Sequence, residues 1–126
     1  KDDMLSQADV VSLHLTLNAG TRGLLGAREL GLMKPGALLV NTSRGPLVDE
    51  AALLDALRQR RIYAALDVFD REPLPDDHPL RTLDHALLTP HLGYVIAENY
   101  QVMFGDALAD VEAWLDGKPI RVVKAP

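Results

Sequence analysis

Apolar residues in this chain come in short runs of two kinds that take turns along it. Runs rich in Val, Ile, Leu and Ala, closed by turn residues, read as strands at 9–15, 37–43, 62–69 and 86–89. Between them apolar residues fall three and four apart, the spacing of one helix face. Residues 2–7 read as the end of a helix, and 26–33 as a short helix stopped by Lys34-Pro35-Gly36. Asp49 is the expected N-cap of the next helix, with Val48 and Leu53 stapling its start and Leu53, Leu54 and Leu57 along its inner face. That helix is expected to end near Arg60. Asn18-Ala19-Gly20 is a turn, and the Pro- and Asp-rich stretch 70–79 is a loop.

The longest periodic segment runs from about Val95 to Asp116, where Ile96, Tyr100, Met103, Phe104, Val111 and Trp114 keep the three–four spacing. About 22 residues at 1.5 Å rise give a helix of roughly 33 Å. Gly117 and Pro119 end it, and Ile120–Val123 is either a terminal strand or an extended tail. Strands that alternate with helices imply a parallel sheet with helical crossovers, hence an α/β fold. The near-continuous apolar start of the second strand predicts burial on both faces. No strand is followed by G-x-G-x-x-G, the phosphate turn of dinucleotide folds. Gly20, Gly23 and Gly26 follow a loop and do not make that turn.

Composition narrows the class. With 126 residues, 48% hydrophobic and 25% charged, the chain has the length and balance of one globular domain. No apolar run reaches the roughly 18 residues of a membrane span, no signal peptide is visible, and no membrane partner is expected. Lys1 is not an initiating methionine, so the chain is expected to begin inside a longer protein. Net charge is −5, and the densest basic group, Arg58, Arg60 and Arg61, falls in the expected last turn of a helix, where cations complement the dipole. Nucleic acid is not an expected partner. With no Cys there is no disulfide and no thiolate metal site, and a cytoplasmic location fits. His14, His78 and His85 show no metal-ligand spacing. His14 reads as a packed or cofactor-adjacent strand residue, and His78 and His85 read as loop residues.

Chemistry collects where parallel strands end. Arg44, Glu72 and His91 each follow one of the apolar runs. Arg44 offers a planar two-point fork for a carboxylate, and Gly45 beside it would let the backbone approach a ligand closely. His91 is the residue type that moves protons near neutral pH. Glu72, as one acid in a loop with Asp70, Asp76 and Asp77, is anonymous by itself. Asp67 lies inside an apolar run, where an unpaired carboxylate is costly, so it requires a specific hydrogen-bond partner such as a ligand amide.

The strings DVVSLH (9–14), LMKPGALLVNTSRG (32–45), ALDVF (65–69), Glu72-Pro73 and Thr89-Pro90-His91 occur in one order over nearly the whole chain. In that order they closely resemble the NAD-binding domain of the D-isomer-specific 2-hydroxyacid dehydrogenases. The resemblance implies the second half of a Rossmann-type doubly wound parallel sheet, of about four strands, plus a long C-terminal helix. Residues 1–93 would be a partial dinucleotide-binding domain, and 94–126 a helix and tail packing on a substrate domain outside this chain. It implies NAD as cofactor, with NADP left open, a small 2-keto or 2-hydroxy acid as substrate, and a homodimer.

The catalytic residues would be Arg44, Glu72 and His91. His14, Thr42, Ser43, Arg44, Asp67, His91 and Gly93 would line the dinucleotide, with Asp67 on the nicotinamide amide. Arg44 would grip the substrate carboxylate, His91 would exchange a proton with the C2 oxygen, and Glu72 would orient the imidazole and favour its charged form. The related formate dehydrogenases carry Gln where Glu72 stands, so the acid favours 2-hydroxy acid chemistry. Thr16 departs from a Pro frequent in the family, and the stretch from Tyr94 to Tyr100 is a less common variant. The other implied class is an NAD-sensing corepressor-like interaction protein of the same fold. The isolated chain is expected to show negligible activity, weak cofactor binding, an open edge at its first strand and a tendency to associate.

Overall fold

The computed structural model describes residues 1–124, in which the chain forms two compact units divided between Leu92 and Gly93. The first unit is built on four strands, β1 (Val10–Leu13), β2 (Leu38–Asn41), β3 (Tyr63–Leu66) and β4 (Ala86–Leu88). They form one parallel sheet in chain order. Val11, Leu39, Ala64 and Ala86 lie in register across it. Three helices, α1 (Asp2–Gln7), α2 (Ala27–Leu32) and α3 (Glu50–Arg58), fall before or between strands, and 3₁₀ turns occupy Gly45–Leu47 and Pro79–Thr82.

Period-two alternation puts Val11, Leu13, Leu39, Ala64 and Leu66 on one face of the sheet. They join Leu5, Leu30, Met33, Leu53 and Leu57 from the helices in one apolar cluster. The opposite face is open: Val10, Tyr63 and Leu87 are 57%, 46% and 68% exposed. This corrects the expectation that β2 is buried on both faces. Leu39 is fully buried, whereas Leu38 and Val40 beside it are only half-buried, because the helices of this unit cover one face alone.

Each ladder is shorter than its apolar run, since the residues beyond it turn into loops held by side chains. Asp49 caps α3 as expected, its carboxylate accepting the Ala52 N–H at 2.8 Å, and Val48 and Leu53 are both buried at the start. The helix ends at Arg58, however, and Arg60 turns left-handed at φ 53°. Arg60 and Arg61 therefore lie outside the last turn. Arg61 reaches α2 instead, donating to the carbonyls of Gly31 and, at 3.2 Å, Met33. The glycine-spaced loop before α2 runs beside the 3₁₀ turn after β2, with Gly23 N–H donating to Pro46 and a bridge between Leu25 and Val48.

The second unit holds α4 (Ala97–Leu115), none of whose residues is buried. Gly117 takes the left-handed conformation at φ 69° that ends it. Ile120–Val123 forms no strand. Arg121 folds back on α4 through ion pairs to Asp106 and Asp110 at 3.3 and 3.0 Å, and Ile120, Val122 and Val123 are exposed. Among the described residues, no helix is long and apolar enough to cross a membrane. Residues 125 and 126, the end of the expected tail, lie outside the described residues.

Candidate active site

The exit of β2 is set by Asn41, a side chain that is 1% exposed. Its Nδ2 donates to the Arg44 carbonyl at 2.9 Å and its Oδ1 accepts the Ser43 N–H at 3.1 Å, so one buried amide closes the turn that presents Arg44. Ser43 Oγ donates to the Leu15 carbonyl at 2.6 Å, tying this turn to the exit of β1. Thr42 and Arg44 are exposed, and Arg44 Nη1 donates to Ser43 O at 2.6 Å. Gly45 has a different task from the one its sequence suggests. A Cβ there would lie 2.2 Å from the Phe69 carbonyl carbon and 2.5 Å from Asp70 N. The close approach is to the chain's own backbone, and it brings the Arg44 turn against the loop that carries Glu72.

Glu72 and His91 meet across the exits of β3 and β4. His91 Nδ1 lies 2.7 Å from Glu72 Oε2, and Glu72 Oε1 accepts the Phe69 N–H at 2.9 Å. Burial pushes the Glu72 carboxyl up, but the His91 contact, the Phe69 N–H and the Arg44 charge outweigh it and leave Glu72 below its ordinary value. The loop acid is thus a held carboxylate, a fact invisible in a run of loop acids. An ionised carboxylate only accepts, so Nδ1 carries the hydrogen and Nε2 is the working nitrogen of the ring. His91 sits at φ 57°, a left-handed conformation that is uncommon for a side-chain-bearing residue and clusters at functional sites. A cleft of about 540 Å³ opens against the pair, walled by Phe69, Leu74, Arg81 and Leu88.

Asp67 has the specific partners its burial requires. At 4% exposure, its Oδ1 accepts from Thr89 Oγ1 and, at 2.8 Å, from the Leu92 N–H. These bonds bracket His91 on both sides in sequence, so Asp67 fixes the peptide segment on which the imidazole rides. Thr89 and Asn41 carry no sequence signal of this role beyond their places next to Pro90 and Thr42.

His14 is exposed just past β1, its Nε2 2.8 Å from Ser12 Oγ, and so is not a packed core residue. Gly93 opens the second unit. His78 lies in the loop, as expected, with both ring nitrogens engaged. Its Nδ1 accepts the Leu80 N–H at 3.3 Å and its Nε2 lies 3.2 Å from Glu50 on α3. His85 packs on Tyr63, ring centroids 4.5 Å apart. Among the described residues, no three His, Asp or Glu group as a metal site.

The parallel sheet thus carries a guanidinium, a held carboxylate and an imidazole at successive strand exits, the end of an open α/β sheet at which ligands bind. The comparisons with known proteins give the family. A model described as "D-isomer specific 2-hydroxyacid dehydrogenase, NAD binding domain" matches residues 1–93, and the chain belongs to that family. It is 42% identical over 118 residues to the glyoxylate/hydroxypyruvate reductase B of Enterobacter agglomerans, covering 93% of this chain and 36% of that protein. The chain thus spans little more than a third of that curated relative's length. Among solved structures, a putative D-3-phosphoglycerate dehydrogenase from Ralstonia solanacearum superposes with a TM-score of 0.92 at 41% identity, over 99% of this chain and 38% of that one. D-lactate dehydrogenase with NAD⁺ from Lactobacillus jensenii gives 0.86 at 31% identity, over 99% and 42%.

Proposed function

We propose that the protein carrying this chain is an NAD(P)-dependent oxidoreductase that interconverts a D-2-hydroxy acid and its 2-keto acid. The observation that carries this reading is the 2.7 Å pair of His91 and Glu72, with the Arg44 charge close enough to act on Glu72. Bound nicotinamide would supply or take the hydride at the substrate's C2. The chain's residues fit the nicotinamide end of such a cofactor. Asp67 is a nearly buried carboxylate at a strand exit that already accepts one amide N–H, the chemistry needed to hold a carboxamide. Thr42, Ser43, His14 and Gly93 are the other cofactor-lining residues in this proposal.

Arg44 binds the substrate carboxylate through its fork and withdraws charge from the neighbouring carbonyl. His91 Nε2 gives its proton to the C2 oxygen during reduction and takes it back during oxidation. The positive ring of the oxidation direction faces the Glu72 carboxylate, and Glu72 stays ionised throughout. A homodimeric assembly belongs to the same proposal. The experiment is turnover of NADH and NADPH by the full-length protein with glyoxylate, hydroxypyruvate and pyruvate. His91→Ala is expected to lower kcat about 10²–10⁴-fold, and Arg44→Ala to raise substrate KM and lower kcat together. Cofactor binding with no turnover of any 2-keto acid would sink the enzyme reading and favour a corepressor-like sensor.

A further inference from the structure

We propose that Arg81 is a positioning residue for Glu72, a role that rests on the Glu72–His91 pairing above. Glu72 must accept from Phe69 on one oxygen and face His91 with the other, so the loop that follows it has to be held. Arg81, in the 3₁₀ turn Pro79–Thr82, closes that loop. Its Nε donates to the Pro75 carbonyl at 2.8 Å and its Nη2 to the Leu74 carbonyl at 2.7 Å. Leu74 is two residues beyond Glu72 and buried, and Leu80 anchors the other end of the loop in the core. Two carbonyls on adjacent residues match the rigid fork of a guanidinium, which an ammonium point charge does not reproduce.

Arg81 walls the same cleft as Glu72 and His91, and a cation there invites assignment to substrate binding. Its hydrogen bonds point to the loop instead, because the Nε–Nη2 edge of the guanidinium is committed to two backbone carbonyls. Its 3.6 Å approach to Asp76 adds little, since that carboxylate is fully exposed. Arg81 therefore acts through the loop, holding the Glu72 carboxylate where His91 needs it.

The test reads Glu72's two partners by NMR in the full-length protein, with no need for turnover. In Arg81→Met, hydrogen exchange of the Phe69 amide should quicken roughly tenfold, as expected for losing a hold worth a hydrogen bond or two. The His91 ring N–H signal should weaken in parallel, while the Asp67 amide, bonded to Asn41 in the sheet, stays as slow as before. Glu72→Ala is the reference. If Glu72→Ala moves neither signal, the Glu72–His91 pairing itself fails. If Glu72→Ala moves both and Arg81→Met moves neither, the Arg81 proposal fails. Should Arg81→Met also speed the Asp67 amide, a kinetic cycle in the full-length enzyme decides. Arg81→Met should lower kcat in the parent but have no further effect in Glu72→Ala, whereas additive losses would overturn the proposal.

Discussion

Glu72 shows how one side chain ties acid–base chemistry to stability. Its carboxyl lies below the ordinary glutamate value because His91, the Phe69 N–H and Arg44 together outweigh the cost of burial. A depressed carboxyl stabilises the fold above its unfolded value, about 4.3, and loses that contribution as pH falls through the folded value. Urea unfolding should therefore find the parent more stable than Glu72→Gln at neutral pH, with the gap closing as pH falls below the unfolded value. A gap that does not change with pH would mean that the carboxylate's charge is not what the site holds. At this scale the sequence was legible in part. Arg44 and His91 stand out as a cation and an imidazole after apolar runs, whereas Asn41 reads as an ordinary polar residue. Its burial and its two bonds around the Arg44 turn depend on neighbours up to three residues away, in a turn that the pattern does not specify.

Between elements, the contact that matters most is the one where the β2 exit meets the β3 exit. The φ of Gly45 does not call for glycine; the Phe69–Asp70 backbone does, by filling the space a Cβ would need. Gly45→Ala should cost at least about 2 kcal/mol, at the upper part of what overpacking usually costs. It should also displace Arg44 from Glu72, so that the pH dependence described for Glu72 weakens. Denaturant midpoints near the parent's would show that the loops part without cost. The order of helices and strands was legible because each has its own hydrophobic period. The end of α3 was legible to within two residues. What the pattern did not show is that Arg60 takes the left-handed place of a local helix-ending turn with no glycine to mark it, and that the Arg61 side chain bonds to α2.

Across the whole chain, apolar surface is left open on one sheet face, at Val10, Tyr63 and Leu87, and along α4, at Phe104, Leu108 and Trp114. Among the described strands, β1 and β4 each have one neighbour. The isolated 126-residue chain should therefore self-associate, with its sedimentation coefficient rising along a concentration series. Leu87→Lys should reduce that rise, and a coefficient that stays constant for the parent would contradict the expectation. By itself the sequence determined the parallel α/β order and the family, since period, turn chemistry and residue type are local properties carried in the string. Only the tertiary structure decided that β2 is covered on one face, that Gly45 meets the Phe69–Asp70 backbone, and that Asp67 accepts from Thr89 and Leu92 on either side of His91. Each of these depends on which distant segments the fold presses together, and a hydrogen bond or a steric gap exists only once they are within a few ångströms.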